Sequence, residues 1–463
     1  MSELSVKMDN FFHITERGSD LKTEIKGGVI TFLAMFYILA VNPSILAPAA
    51  GAELFGQLVT ATALASCVSC ILMGLYARFP IALAPGMGIN AFVSYTVVLS
   101  MGFSYPQALL IVLISGIAFF ILTVSGLRMK ILQAIPMVMK LAITAGIGFF
   151  IVVVGLFNAG IIIHATGSAL ELGDLSAPGT LLALACIVIT MFFWARNSWG
   201  AVLIGIIATI IIGFVGGALF GWDTVVNGAQ LVPGVGTAAI TDLINMPDFG
   251  LFGVVFDIGS IEGTMWSAFI VSIISLLIID MFDTTGTIVG VSRSAGIMDE
   301  NGEIEGNEKA LEVDAVATVF GAVAGTSTTT SFIESSTGIA AGARTGLMAV
   351  VVGLLFMAML FFVPAFAIIT PACTVGALFL VGLAMITALR GIEWDDYTTI
   401  ATVFVTLFMM GLSGSITNGI ALGTFAYIIC MVAEGKWRDI SLVLWAFEII
   451  FLVHFILLYE FTS

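Results

Sequence analysis

The chain has 463 residues, of which 60% are hydrophobic and only 10% are charged, and its formal net charge is −15. Because soluble domains average about 25% charged residues, this composition excludes an ordinary soluble enzyme, and the scarcity of basic residues excludes a nucleic-acid-binding protein. Apolar stretches of about 20 residues recur from Gly27 to Tyr459, so the chain is predicted to be an all-α polytopic membrane protein.

The N-terminal segment, residues 1–26, is polar and lacks the pattern of a signal peptide. The spacing of its apolar residues predicts a short helix at the membrane surface. A C-terminal apolar stretch, 440–459, is predicted as either an additional span or an interfacial helix. Between them the pattern predicts about 14 transmembrane spans, several of them short, at 28–49, 56–77, 87–102, 107–126, 137–157, 179–195, 199–220, 265–290, 312–325, 333–343, 345–363, 372–389, 396–411 and 415–433.

Cys67 and Cys70 form a CxxC pair inside the second predicted span. Such a pair can bind a metal or carry redox chemistry, but this one has no second CxxC and no histidine near it. Ordinary helix packing is the preferred interpretation. The sequence therefore predicts neither a metal site nor a cofactor.

The 15 lysine and arginine residues indicate how the spans are oriented. With the N-terminus in the cytoplasm, every basic residue falls on or beside a cytoplasmic segment, including Arg128 between the fourth and fifth spans. The predicted outside loops, among them the long loop 221–264, contain no lysine or arginine. This agreement with the positive-inside rule predicts a multi-pass protein of the cell membrane with a cytoplasmic N-terminus.

The third predicted span is interrupted by residues that do not fit a helix interior, in the run ALAPGMGINAF. Pro85 and Gly88 predict an extended piece at 81–85, followed by a helix that begins near Gly88 or Asn90. Glycine and proline are also common in ordinary membrane helices. This span alone does not decide between the two interpretations.

The tenth predicted span has the same form, because a Ser/Thr-rich stretch at 326–331 precedes a helix predicted to start near Glu334. Serine and threonine can alternatively bond back to helix carbonyls. Two halves of seven spans each would lie in opposite orientations, which is the inverted-repeat arrangement of many transporters. Broken spans at matching places in such halves indicate a substrate site.

Two carboxylates lie inside the eighth predicted span, in the run IISLLIIDMFDTTGTIVG. Asp280 and Asp283 are three residues apart and so share a helix face. A charge at this depth costs about 2.5–3.5 kcal/mol, which indicates a function for these acids. Asp314, near the cytoplasmic end of the ninth span, is predicted to cap its helix or to pair with Lys309 or Arg293.

Three runs, ALAPGMGINAF, DMFDTTGTIVG and FIESSTGIAAGARTGL, resemble the AzgA-like purine permeases of the nucleobase–cation symporter-2 (nucleobase/ascorbate transporter) superfamily. The resemblance extends over nearly the whole chain from GGVITFLAMFYILAVNP onward. It implies two inverted seven-span repeats, a substrate-carrying core domain of spans 1–4 and 8–11, and a gate domain of spans 5–7 and 12–14. The corresponding segments are 27–126 and 265–363 for the core, 127–220 and 364–433 for the gate, 221–264 for the extracellular loop and 434–463 for the C-terminal segment.

The resemblance implies a secondary active transporter that imports adenine, guanine or hypoxanthine by proton symport with alternating access. By similarity, the eighth-span acids are Asp280 and Asp283, the tenth-span acid is Glu334 and the third-span asparagine is Asn90. Glu334 is followed by SSTG, one residue longer than the spacing in the broader superfamily, which resembles the purine group. The implied partners are the purine, the proton and the lipid bilayer. A second copy of the chain is a further implied partner, because the gate domain often forms the dimer surface in this family.

A purine is flat and nearly neutral, with donors and acceptors on its edge, so a dry pocket can hold it between apolar walls. Carboxylates accept from N–H groups and donate once protonated, and burial favours their neutral form, which lets such an acid carry a proton. Aromatic rings can stack on the base, and hydroxyls and half-helix N–H groups can contact its edge. The predicted substrate-binding residues are Asn90, Asp283, Glu334, Gly88, Phe282, Phe332, Ser335 and Thr284, and the candidates for the coupled proton are Asp280, Asp283 and Glu334.

The sequence leaves other substrates open. Uracil or xanthine is the alternative within the superfamily, and a small anion is the alternative within the same architecture, although three acids near the site oppose an anion. An intramembrane aspartyl protease would also keep two buried acids, but about 14 spans exceed what that chemistry needs, so an enzyme is not expected. Which purine is preferred is not fixed, because purines differ by a single donor–acceptor swap.

Overall fold

The computed structural model describes residues 3–165, 168–196, 198, 200–226, 229–234, 244–261, 263–295 and 307–462. Nine helical stretches in this part of the chain are long and apolar enough to cross a membrane. The prediction of a helical, multi-pass membrane protein is therefore confirmed.

The helices lie close to the predicted spans. Two π-helical stretches, Met73–Ala77 and Phe92–Ser100, continue α4 and α5. The helices are α1 (Glu3–Phe12), α2 (Leu21–Met35), α3 (Ile38–Ala50), α4 (Phe55–Leu72), α5 (Met87–Ala91), α6 (Tyr105–Val124), α7 (Leu127–Ala134), α8 (Met137–Asn158), α9 (Pro178–Ala195), α10 (Ala201–Phe220), α11 (Trp266–Ala295), α12 (Asn307–Ala324), α13 (Ser335–Ala340), α14 (Gly346–Met359), α15 (Val363–Phe366), α16 (Pro371–Ile386), α17 (Tyr397–Ser413), α18 (Ile416–Ala433) and α19 (Leu442–Thr462).

Polar caps and prolines set where several helices begin. Ser104 and Gln107 form a reciprocal capping box at the start of α6. The Asp20 side chain accepts two backbone N–H bonds at the start of α2, and Pro178 occupies the first turn of α9. These local signals, together with the length of each apolar run, explain the agreement between predicted spans and helices.

In the described part of the chain, six short strands form three antiparallel pairs beside the helices. The first pair had been predicted as two extended segments. The other two pairs lie outside the predicted spans, where a few residues of extended chain give too short a pattern to identify. The pairs are β1 (Leu83–Pro85) with β6 (Thr329–Ser331), β2 (Ile162–Ala165) with β3 (Ser168–Leu172), and β4 (Val225–Val226) with β5 (Ala229–Gln230).

The helices pack into two groups. The first bundle comprises α2–α4, α6 and α11–α14, in which α14 packs on α2 and α4, and α12 packs on α4 and α6. The second bundle comprises α8–α10 and α16–α18, in which α8 packs on α16 and α17. Because α7 lies between α6 and α8 in the chain, it connects the two bundles.

Glycines allow the short helix α13 to lie directly on α2. A side chain at Gly338 would place its Cβ 2.5 Å from the carbonyl oxygen of Gly27, which is closer than such atoms can approach. The absence of side chains at both positions therefore permits this contact. It brings Glu334, the residue preceding α13, towards the break between α2 and α3.

The two ends of the chain are also helical. Phe12, the last residue of α1, and Ile14, which follows the helix, form a small apolar cluster with Leu347 of α14. The C-terminal stretch forms α19, which contacts α7, α11 and α18. Its prediction as a span or as an interfacial helix stays open.

Candidate functional site

Strands β1 and β6 bring the two interrupted segments of the chain together. Their partners are Leu83 with Ser331, Ala84 with Thr330 and Pro85 with Thr329, and all of these residues are buried. Bonds from Gly86 N to Thr328 O (3.0 Å) and from Phe332 N to Ala82 O (2.9 Å) extend the pairing. Lipid offers backbone groups no partners, so this strand pair satisfies polar backbone that a helix would otherwise satisfy.

A cavity of about 390 Å³ lies beside the strand pair, between the two bundles. One wall includes Gly88, Asp283 and Glu334, and the other is formed by α8 and α16, with Ile147 and Met385 among its residues. Small-molecule sites in proteins enclose about 300–1,000 Å³ and combine apolar walls with a few polar groups. The cavity has both the size and the composition of such a site.

The cavity contains two of the predicted acids, Asp283 and Glu334. The Thr330 hydroxyl donates to Asp283 Oδ2 at 3.3 Å, and the Tyr37 hydroxyl donates to Glu334 Oε1 at 2.6 Å. The two carboxylates are close enough to interact electrostatically. Each carboxylate has a second oxygen for which the described residues provide no hydrogen-bond donor, so both can accept bonds from a ligand in the cavity.

Of the other predicted site residues, Gly88 and Phe332 also line the cavity. Only the backbone of Phe282 belongs to the described part of the chain, so the prediction that its ring stacks on the substrate lies outside it. Ser335 donates to Phe332 O at 2.7 Å and accepts from Ala82 N at 3.0 Å. It therefore fixes the strand pair and is not among the described residues that line the cavity.

Three further predicted residues lie behind the wall of the cavity. Asn90 is buried and accepts a hydrogen bond from the Ser327 hydroxyl. Asp280 is buried and accepts from the Thr318 hydroxyl at 3.1 Å. Thr284 donates to Asp314 Oδ2 at 2.5 Å. Their polar groups therefore contact neighbouring segments of the first bundle.

Asp314 was not predicted as part of the site. Its carboxylate accepts from Thr284 and Ser331 and does not cap α12 or pair with Lys309 in the described contacts, whereas the predicted partner Arg293 has a side chain outside the described residues. Asp314 is buried in α12, where Oδ1 accepts from both the backbone N–H and the hydroxyl of Ser331, each at 2.9 Å. Because Ser331 belongs to β6 and lines the cavity, Asp314 holds one strand of the pair in place.

Tyr37 is the second residue that the sequence analysis missed. It is buried at the break between α2 and α3 and contacts Glu334. A usable signal existed, because tyrosine is enriched at membrane interfaces, whereas Tyr37 falls near the middle of the span predicted at 28–49. For Asp314 the signal was weaker, consisting of one acid between apolar residues in EVDAVA.

No group of three or more histidine, cysteine, aspartate or glutamate side chains that could hold a metal ion occurs in the described ranges. Asp283 and Glu334 give the cavity carboxyl groups that can form hydrogen bonds and bind protons.

Comparison with known sequences gives matches along most of the chain. Residues 22–432 match the sequence model of the Permease family (Xan_ur_permease). The chain is 37% identical to the adenine permease AdeQ of Escherichia coli (strain K12), over 96% of this chain and 94% of that protein. It is 40% identical to the guanine/hypoxanthine permease PbuG of Bacillus subtilis (strain 168), over 97% of this chain and 100% of that protein.

Comparison with solved structures shows a shared fold. The transmembrane domain of a cyanobacterium bicarbonate transporter, BicA, aligns with a TM-score of 0.56, covering 90% of this chain and 97% of that one. The two sequences are 15% identical, so the likeness concerns the fold alone.

Proposed function

Since the chain belongs to the Permease family and is a membrane transporter, not an enzyme, we propose that it imports purine nucleobases by proton symport. The proposed substrates are adenine, guanine and hypoxanthine, which are the bases in the names of the similar permeases AdeQ and PbuG. Their high identity over nearly the full length supports this proposal.

The observation that carries the proposal is the pairing of two carboxylates with apolar walls in one cavity. Asp283 and Glu334 can accept from ring or exocyclic N–H groups of a purine, and each can donate once it is protonated. Phe332 lies beside them for stacking on the flat ring, and Ile147 and Met385 close the opposite side. A neutral base of this shape can occupy a cavity of about 390 Å³.

The same carboxylates supply the proposed proton coupling. Asp283 and Glu334 exchange a proton with whichever side of the membrane the cavity faces, and Asp280 interacts electrostatically with Asp283. Because the acids interact, they titrate as a set. If the purine binds when these acids are protonated, transport of the purine is coupled to transport of the proton.

We further propose the finer architecture: 14 spans in two inverted repeats, with the first bundle as core and the second as gate. The separation into two bundles and the shared fold with BicA support it. Alternating access would then be a movement of one bundle against the other across the cavity. The distribution of lysine and arginine supports a cell-membrane protein with a cytoplasmic N-terminus, and the exposed apolar faces of α9 and α10 leave room for a homodimer through the gate.

The proposal is tested by uptake of labelled adenine and hypoxanthine in cells that lack their own purine carriers. We expect saturable uptake that a protonophore strongly reduces. Competition with unlabelled guanine, xanthine and uracil orders the substrates, and strong competition by uracil or xanthine alone would favour that alternative. Uptake no higher than in cells without the protein would refute the purine assignment, and uptake insensitive to the protonophore would refute symport.

Replacing Tyr37 by phenylalanine is expected to weaken purine binding. The substitution removes the donor to Glu334 Oε1 and changes little else in shape, so the carboxylate loses one constraint on its orientation. A hydrogen bond to a charged group contributes about 1.5–3 kcal/mol, and we expect the purine concentration for half-maximal uptake to rise about tenfold or more.

The matched control is Tyr95→Phe. Tyr95 is a partly buried tyrosine whose hydroxyl accepts a hydrogen bond from Asn158 at 2.6 Å, but it is not among the described residues that line the cavity. Equal effects of the two substitutions on half-maximal uptake would show that Tyr37 acts only through general stability.

A further inference from the structure

Arg128 is a basic residue in an unexpected environment. It occupies the first turn of α7, in the connection between the bundles, where the sequence predicts a cytoplasmic segment. In the structure only 2% of its surface is exposed. Taking such a charge out of water costs several kcal/mol unless other groups compensate it.

The surroundings of Arg128 provide that compensation. Its guanidinium lies 4.5 Å from the centre of the Phe119 ring, and Nη2 donates to the carbonyl oxygen of Met281 at 3.5 Å. The side chain also interacts electrostatically with Asp314 and Asp280. Arg128 is therefore surrounded by α6, α11 and α12 of the first bundle.

These contacts continue to the cavity. Asp314 accepts two hydrogen bonds from Ser331, and Ser331 lines the cavity next to Phe332. Asp280 is one turn from Asp283 on α11. The buried Arg128 is thus linked to both β6 and α11, the two elements that carry polar residues of the cavity wall.

We infer that Arg128 is a positioning residue for transport. Its charge compensates Asp280 and Asp314, which keeps α11, α12 and β6 in the arrangement that presents Asp283 and Ser331 to the substrate. Helix α7 connects the two bundles and therefore changes position when one bundle moves against the other. The contacts of Arg128 link this helix to the polar wall of the cavity. The inference deepens the proposed function and rests on it.

The experiment compares exchange of labelled for unlabelled purine across proteoliposomes containing the full-length protein. This exchange needs binding and alternating access but no net proton movement. We expect Arg128→Met to lower the exchange rate about tenfold or more and Arg128→Lys to retain about a third of it or more, because lysine preserves the charge. Arg128→Met/Asp280→Asn is expected to regain much of the loss, since it removes one positive and one negative charge together.

Arg196→Met is the matched control, because Arg196 also lies against a phenylalanine ring on a cytoplasmic segment but is exposed. Its exchange rate should stay within about twofold of the original protein. The inference is overturned if Arg128→Met exchanges purine normally, or if neither lysine nor the added Asp280→Asn improves on it.

Thermal unfolding of the same purified variants separates this inference from the proposed function. If the original protein exchanges no purine, the proposed substrate is wrong, and the melting temperatures decide the role of Arg128. Charge compensation requires Arg128→Met to melt below Arg128→Met/Asp280→Asn, and the reverse order, or equal values, would refute it. If Arg128→Met folds too poorly to be purified, the amount of protein in the membrane replaces the melting temperature. It should then be lower for Arg128→Met than for Arg128→Met/Asp280→Asn.

Discussion

Replacing Glu334 by glutamine is expected to lower purine uptake by roughly 10- to 100-fold, without reducing the amount of protein in the membrane. Glutamine has nearly the same shape, and its carbonyl oxygen can still accept from the Tyr37 hydroxyl. Glutamine cannot bind or release a proton. Its amide NH2 can also face an N–H group of the base, and two donors cannot form a hydrogen bond with each other. A hydrogen bond to a charged group contributes about 1.5–3 kcal/mol, which corresponds to this loss of affinity.

The measurement is initial uptake of labelled purine at several external pH values, corrected for the amount of protein. The matched control is Glu448→Gln, the same substitution at a partly buried glutamate of α19, for which we expect uptake within about twofold of the original. Asp283→Asn should resemble Glu334→Gln, because both acids line the cavity. Full uptake with an unchanged pH dependence in Glu334→Gln would remove Glu334 from both binding and coupling.

The helices and the two interrupted segments could be predicted because their signals are local. A run of about 20 apolar residues is long enough to span a bilayer, and proline and glycine near residue 85 cannot continue a helix. Composition and these interruptions therefore located α5 and α13 within a few residues. The apolar run around it singled out Asp283, and the resemblance to a family assigned Asp283 and Glu334 to the substrate site. The structure places both in one cavity.

The orientation of individual side chains could not be predicted from spacing. Asp280 and Asp283 are three residues apart, which on a helix separates them by about 60° around the axis. Spacing assigned both to one face, but Asp283 reaches the cavity, whereas Asp280 contacts Thr318 of α12. Small rotations of this size depend on how α11 packs on its neighbours, which a single sequence does not specify.

Contacts between distant segments could not be predicted either. The register that pairs Leu83 with Ser331 joins residues in different halves of the chain, and nothing near either residue encodes it. The role of Asp314 has the same origin, because its partners lie on α11 and β6. Local sequence showed an acid near a helix end, and only the assembled fold showed what it binds.

Replacing Asp314 by alanine is expected to have the largest effect on folding, leaving little protein in the membrane. The change removes the acceptor for Thr284 Oγ1, Ser331 N and Ser331 Oγ. Each buried donor left without a partner costs about 1–3 kcal/mol, and Arg128 loses part of its charge compensation. The sum is comparable to the stability of a typical domain, about 5–15 kcal/mol, so we expect β6 to lose its position.

The test measures the amount and the size-exclusion profile of detergent-extracted protein, followed by uptake for any variant that folds. Glu312→Ala is the control, because Glu312 lies two residues away on the same helix and accepts its bond from Tyr76 at an exposed position, so its loss should cost less than about 1 kcal/mol. Asp314→Asn keeps one oxygen that can accept from Ser331, and we expect more folded protein than for alanine but reduced uptake. Normal folding and uptake in Asp314→Ala would mean that the other contacts of β6 hold the strand without Asp314. The inferred connection from Arg128 through Asp314 to the cavity would then be contradicted.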